Sequence, residues 1–306
     1  MKKYNIFLSL FIGYLLINMV LMPKVYINAT YSGIKAWALN VLPSVLPFMI
    51  FTKLLSNLGM VDKCARFLAS PCKKLFNCPS SSAVVFLTSV ISGYPVGAAM
   101  TADMYQTGKI SKSEAFRMCS FCSTSGPMFI VGAVGVSMLG SALYGYIILF
   151  SHVLGALLNG LIYKKLKVVD VKSDIRQHIQ SQNDLSTVIQ NSVLNILSVG
   201  AIIAIFFVII TSLSPIFNLF PPQIACILKG IVEITKGCSD IAESLGGIWA
   251  VATATFVISF GGISTILQSI TLLNKLQMPI KTFVLQKTTH ALIAVGISLL
   301  TCLILL

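Results

Sequence analysis

The amino-acid sequence predicts an all-α, polytopic membrane protein with inverted repeats and re-entrant or broken helices. Three observations lead there. The chain is 56% apolar and only 10% charged over 306 residues, with a mean hydropathy of +0.89, outside the ordinary make-up of a soluble domain. Its long apolar runs are interrupted near their centres by Gly, Pro and hydroxyl residues. Its basic residues crowd into the short segments between those runs. The net charge of +13 is therefore explained by cytoplasmic retention of Lys and Arg, so the lipid bilayer is the expected partner and nucleic acid is not.

The first apolar run, Asn5 to Met22, follows Met1-Lys2-Lys3 but exceeds a signal-peptide core and lacks a small-x-small cleavage site, so it reads as a retained helix. Pro23 to Asn40, with Lys24, Lys35 and Trp37, reads as an interfacial segment. Val41 to Leu58 is the second span, and residues 59–79 carry Lys63, Arg66, Lys73 and Lys74 against a single Asp62. Ser80 to Tyr105 is long enough to cross a bilayer but holds Ser92-Gly93-Tyr94-Pro95-Val96-Gly97 at its middle. Pro95 has no N–H for the Ile91 carbonyl, and Gly93 and Gly97 lower the cost of unusual backbone angles, so a smooth helix is not expected there. After the basic segment 106–120 comes Phe121 to Leu139, broken at Ser123-Thr124-Ser125-Gly126-Pro127, then the plain span Leu143 to Tyr163.

Charge placement decides how Ser80 to Tyr105 sits. A single crossing would put the basic segments 59–79 and 106–120 on opposite sides and leave the equally basic 164–187 outside, against the positive-inside bias. A hairpin that dips in and returns makes all three cytoplasmic. Beyond the linker, Val188 to Leu213 is a span, Phe220 to Glu243 is interrupted at Glu233-Ile234-Thr235-Lys236-Gly237, Gly247 to Leu273 is broken at Phe260-Gly261-Gly262-Ile263-Ser264, and Phe283 to Leu306 closes the chain. The order of the first half returns: span, broken hairpin, span opened by glycine, span. Starting from the opposite side, the second set is expected to be inverted. The expected organisation is an N-terminal helix and interfacial segment (1–40), a first repeat (41–163), a basic linker (164–187) and a second, inverted repeat (188–306). Inverted repeats with discontinuous segments in matching places characterise secondary transporters with a midplane site.

Four interruptions are thus expected to meet: Ser92 to Gly97, Ser123 to Pro127, Glu233 to Gly237 and Gly261 to Ser264. Irregular backbone at membrane depth is tolerated only where protein or a watery cavity satisfies it. Pro95 and Pro127, as first helical residues, leave free N–H groups for an anion such as a carboxylate. The candidate substrate-binding residues are Ser92, Gly93, Tyr94, Pro95, Gly97, Ser125, Gly126, Pro127, Glu233, Thr235, Gly237, Gly261, Gly262, Ser264 and Gln268. The competing reading is that these glycines only let helices pack closely. For Glu233 three readings stay open: binding a coupling cation, contacting substrate, or pairing with Lys229 or Lys236. His152 and His290 read as interhelical hydrogen bonders. No catalytic residue, metal or cofactor is expected: the eight cysteines have no zinc or disulfide spacing, no carboxylate cluster joins a histidine, and no Walker-type loop is present.

The motifs VLPSVLPFMIF at 41–51, SGYPVGAAMTADMY at 92–105, EAF at 114–116, SGPMFIVGAVGVSML at 125–139, EITKG at 233–237, SFGGIST at 259–265 with Gln268, and His290 in the last helix resemble the YlbJ-type sporulation integral membrane proteins of the nucleoside-recognition (Gate) group. The resemblance implies a multispanning protein made in the mother cell of a spore former. It further implies a part in passing dipicolinic acid, a pyridine dicarboxylate, across the outer forespore membrane into the forespore. The expected function is transport of a small anionic solute, with Tyr94 stacking on its ring and Ser92, Ser125 and Ser264 donating hydrogen bonds. A carrier of a nucleoside or another carboxylate, a non-transporting scaffold for spore cortex or coat, and an intramembrane hydrolase using Ser125 or Ser264 with a histidine are the alternatives. Oligomeric state, accessory proteins and the identity of any coupling cation are left open.

Overall fold

The computed structural model describes residues 3–168 and 185–306. Most of the expected basic linker, including Lys172 and Arg176, lies outside the described residues, which are helical and contain no strand. Helix α1 (Lys3–Leu21) is followed by α2 (Pro23–Ala36), a π-helical turn (Trp37–Val41) and α3 (Leu42–Asn57). The expected interfacial segment is replaced by helix: Pro23–Leu55 runs on as one apolar element long enough to cross a membrane. Trp37, expected as an interfacial anchor, packs on Gly200 instead, where a Cβ would lie 2.7 Å from the indole. Gly33 gives the same close approach to α9 (Leu185–Ser212), since a Cβ there would lie 2.9 Å from Ala204 Cα. Small residues at such contacts are how apolar helices gain packing inside lipid.

Helix α4 (Met60–Phe76) carries Lys63, Arg66, Lys73 and Lys74 and leads into α5 (Ser82–Ser92) and α6 (Val96–Gln106). Eleven residues each, these two rise about 16 Å apiece, roughly half of a bilayer core of about 30 Å. They fold back on each other around Gly93-Tyr94-Pro95, so that Ser89 lies beside Gly97. Gly93 adopts φ +77° and ψ −171°, a region only glycine enters cheaply. The hairpin enters and leaves at one end of the molecule. Before α5, Cys78 Sγ lies 3.9 Å from the Glu114 carbonyl of α7 (Lys112–Cys119), the helix that follows α6. Arg117 of α7 donates to Leu166 O at 3.0 Å, and Ser113 exchanges hydrogen bonds with Val168. The three basic segments, as far as they are described, therefore gather at one end, as the re-entrant reading requires. Ser111 and Glu114 form a reciprocal capping box that fixes the start of α7.

From Ser120 to Gly126 the chain is not helical. An eleven-residue π-helix (Met128–Met138) and the spanning α8 (Ala142–Tyr163) complete the first half. After α9 and the short α10 (Ser214–Phe217), α11 (Pro222–Val232) and α12 (Ile234–Ser244) form a second hairpin with Glu233 at its tip. Its arms touch where a Cβ on Gly237 would overlap Gly230, and Lys229 and Lys236 both pair with Asp240. Helices α13 (Gly247–Phe260) and α14 (Gly262–Leu273) share one broken span, and after a 3-10 turn (Asn274–Leu276) α15 (Ile280–Leu305) ends the chain. Gly261 and Gly262 make the break, at φ +93° and +62°. Hairpin, interrupted span and plain span thus follow each other twice in the same order. The Gly247–Leu273 span is 78% buried across its most apolar window, which places it centrally, with α8 and α15 packed on it and on each other, the latter where Gly155 meets Ala294.

One labelling experiment tests the hairpin. Of the eight cysteines, only Cys64 is exposed. In a Cys64→Ser background, Lys73→Cys, Lys109→Cys and Lys164→Cys are expected to react with an impermeant maleimide from the same side of the membrane. Reaction of position 109 from the opposite side would make Ser80 to Tyr105 a single crossing.

Candidate functional site

The non-helical segment Ser120–Gly126 exposes main-chain groups that a helix would have satisfied, and side chains from the surrounding helices take their place. Ser89 of α5 donates to Cys122 O and accepts from Thr124 N–H at 3.3 Å. Asn159 of α8 donates to Ser120 O at 2.8 Å and Gln286 O at 3.0 Å. His152 Nε2 accepts from Ser125 N–H at 2.9 Å, which leaves Nδ1 to donate to Ser259 Oγ at 2.8 Å. Lys287 of α15 donates to Ser123 O at 2.8 Å and to the Tyr94 hydroxyl at 2.6 Å. His290 donates through Nε2 to His152 O at 2.9 Å, so its bare Nδ1 faces the Lys287 ammonium at 3.4 Å. Both histidines are thus neutral interhelical hydrogen bonders.

All four interruptions reach one cavity of about 450 Å³. Ser92, Gly93, Tyr94 and Pro95 from the first tip, Ser125 and Gly126 from the unwound segment, Glu233 and Thr235 from the second tip, and Ser264 and Gln268 from α14 line it. Apolar side chains of α3 and α9, among them Phe48, Met49 and Ile202, close its walls. The other five candidates lie outside the lining, and the four glycines among them are close-packing positions. Gly97 has no room for a Cβ against Cys122 O, and Gly237 none against Gly230. A Cβ on Gly261 would lie 3.5 Å from the Tyr94 hydroxyl and Lys287 Cε, and one on Gly262 3.3 Å from Gly230 O. Pro127 caps the π-helix.

The tips differ from expectation in two details. Pro95 is the N-cap of α6 rather than its first residue, and Val96 N–H returns to Gly93 O at 3.2 Å, which shortens the expected fan of free amides by one. Glu233, 3% exposed, makes neither of the lysine pairs considered for it, because both lysines go to Asp240. Its carboxylate instead caps α12, accepting from Lys236 N–H at 2.7 Å, and so occupies the positive end of that half-helix itself. No group of three or more metal-ligating side chains occurs among the described residues. Among the described residues, the histidine hydrogen-bonded to a serine hydroxyl is His152, with Ser259, both fully buried and neither in the cavity lining.

Several residues of the site escaped the sequence reading. Asn195 and Ser198 of α9 and Thr265 of α14 line the cavity. Asn191, Asn195 and Ser198, spaced as one helical face within an apolar run, were the available signal. Lys287 was visible near the start of the last helix, but nothing in the sequence places its ammonium beneath Tyr94.

These features define a multispanning membrane protein of transporter-like architecture. Residues 38–142 match the family model described as Gate, nucleoside recognition. The chain is 26% identical to the sporulation integral membrane protein YlbJ of Bacillus subtilis (strain 168), over 96% of this chain and 81% of that one. The resemblance carried by the motifs therefore stands. Among solved structures, a CNTnw variant in an outward-facing state is similar at TM-score 0.62, 14% identical over 98% of this chain and 84% of its own. CNTnw in an inward-facing substrate-bound state is similar at TM-score 0.60, 14% identical over 87% and 75%. These structures are concentrative nucleoside transporters, and at this identity the likeness establishes the fold.

Ser89→Ala leaves Cys122 O and Thr124 N–H without their side-chain partner and is expected to cost about 1–3 kcal/mol, measured as a lower melting temperature in detergent. Ser198→Ala, on the cavity wall, is expected to stay within about 0.5 kcal/mol of the wild type.

Proposed function

We propose that the chain is a membrane carrier of a small carboxylate solute, with dipicolinic acid as the substrate and the outer forespore membrane as the place of action. The observation that carries this reading is the convergence of the four breaks on one cavity. The N-terminus of α6 opens there beneath Pro95 and supplies main-chain N–H groups and a positive dipole end. Tyr94 offers a ring face to a planar pyridine, and Ser92, Ser125 and Ser264 offer hydroxyls. Breaks at matching places in the two halves give each half a hinge, which suits alternating access around a fixed site. The similarity to a sporulation membrane protein supports the cellular setting. A second reading, a neutral nucleoside-like solute, draws support from Glu233, the one carboxylate in a lining that contains no Lys or Arg.

Uptake of labelled dipicolinic acid into liposomes bearing the purified protein separates the two. Saturable uptake unaffected by excess uridine is expected. Uridine uptake without dipicolinic acid uptake would replace the first reading with the second. Glu233→Gln keeps an oxygen for the α12 cap, so stability is expected to change by less than about 1 kcal/mol while uptake rate or its pH profile changes. An unchanged rate and profile would leave Glu233 as a cap alone.

A further inference from the structure

Lys287 is 2% exposed and lies within an apolar span, where an ammonium is costly unless something repays its lost hydration. Every partner it has is neutral: the Tyr94 hydroxyl, Ser123 O and, at 3.4 Å, His290 Nδ1. Among the described residues the ion pairs at Asp240 involve Lys229 and Lys236, and none involves Lys287. Its hydrogen bonds are satisfied, but no counter-charge accompanies them. His290 and His152, which stand beside it, are turned by His152 O and Ser125 N–H into neutral tautomers. Among the described residues, no carboxylate is paired with Lys287.

The cover over that charge is thin. Tyr94 both lines the cavity and holds Lys287, and the ammonium approaches the hydroxyl rather than the ring face, lying 4.8 Å from the ring centroid. Gly261 puts no side chain where a Cβ would stand 3.5 Å from both Lys287 Cε and the Tyr94 hydroxyl. The Tyr94 hydroxyl also lies 3.4 Å from Ile258 O, an acceptor that can keep it satisfied if the lysine is taken away. A carboxylate arriving at the first tip offers Lys287 a charged acceptor in place of a neutral one, and such bonds are about twice as strong.

We propose that Lys287 is the anion-recognition residue of the carrier, held in reserve by Tyr94, whose hydroxyl stands in for the solute carboxylate when the cavity is empty. Solute entry exchanges the Lys287–Tyr94 bond for a Lys287–carboxylate bond, which frees the first tip. The same exchange links selectivity for anions to movement of the hairpin. This rests on the carboxylate reading above and adds the residue that selects the charge.

The test measures binding to purified protein in detergent, with pyridine-2,6-dicarboxylate, its uncharged diamide and uridine as probes. Wild type is expected to prefer the dicarboxylate over the diamide. Lys287→Gln is expected to weaken dicarboxylate binding by about tenfold or more and leave diamide binding within about twofold. Lys287→Arg is expected to retain the preference for charge, and Tyr94→Phe to keep or strengthen it, since the competing hydroxyl is gone. Melting temperatures and the diamide binding of each variant report folding, and Tyr94→Phe tests the reserve without touching the lysine. Dicarboxylate binding that survives in folded Lys287→Gln, or is lost in Tyr94→Phe, overturns the proposal while the carboxylate reading stands. Wild type that binds uridine and neither pyridine probe overturns both.

Discussion

The structure depends on seven residues that are not helical. Ser120–Gly126 crosses the interior of a helical membrane protein as irregular chain, and every main-chain group it leaves open would cost several kcal/mol in hydrocarbon if left unmet. Ser89, His152, Asn159 and Lys287 meet them from α5, α8 and α15. These contacts bind three elements to one strand of backbone. They also explain why serine, histidine, asparagine and lysine occur at fully or almost fully buried positions of otherwise apolar helices.

From that constraint the cavity follows. The first hairpin can end inside the helical bundle because its tip rests on the unwound segment: a Cβ on Gly93 would lie 2.7 Å from Gly126 N, and Gly97 abuts Cys122 O. The second hairpin brings its tip to the same cavity from the other half, and Gly262 lets the Ile234 amide approach the break between α13 and α14, within 3.4 Å of where a Cβ would be. Glycine is needed at these places for proximity and at Gly93, Gly261 and Gly262 also for backbone angle. The outcome is a pocket lined by the hairpin tips and the unwound segment and closed by side chains of α3 and α9.

Much of this was legible in the sequence for a physical reason. Gly, Pro and hydroxyls inside a long apolar run contradict a smooth helix, so the breaks at 92–97, 123–127, 233–237 and 261–264 stood out, and the basic segments decided that Ser80 to Tyr105 turns back. Ten of the fifteen candidate residues line the cavity. The other five lie outside the lining: Gly97, Gly237, Gly261 and Gly262 sit at close approaches between elements, and Pro127 caps the π-helix. Less legible were features that depend on which helix meets which. Composition alone made Pro23 to Asn40 look interfacial, because Lys24, Lys35 and Trp37 suit a membrane surface, whereas packing on α9 extends it into a long helix. Lys229 and Lys236 flank Glu233 in sequence yet turn to Asp240 one helical turn further along α12. Lys287 gave no hint of its partners, since Tyr94 and Ser123 are more than 160 residues away.

The central claim is that the two hairpin tips face each other across one cavity beside the unwound segment. Cross-linking in native membranes tests it most directly, using Ser92→Cys and Thr235→Cys in the Cys64→Ser background with a short bifunctional thiol reagent. The account predicts an intramolecular cross-link between these positions, from opposite hairpins, that added solute slows. Absence of the cross-link, with each cysteine still reactive on its own, would place the tips apart and contradict it.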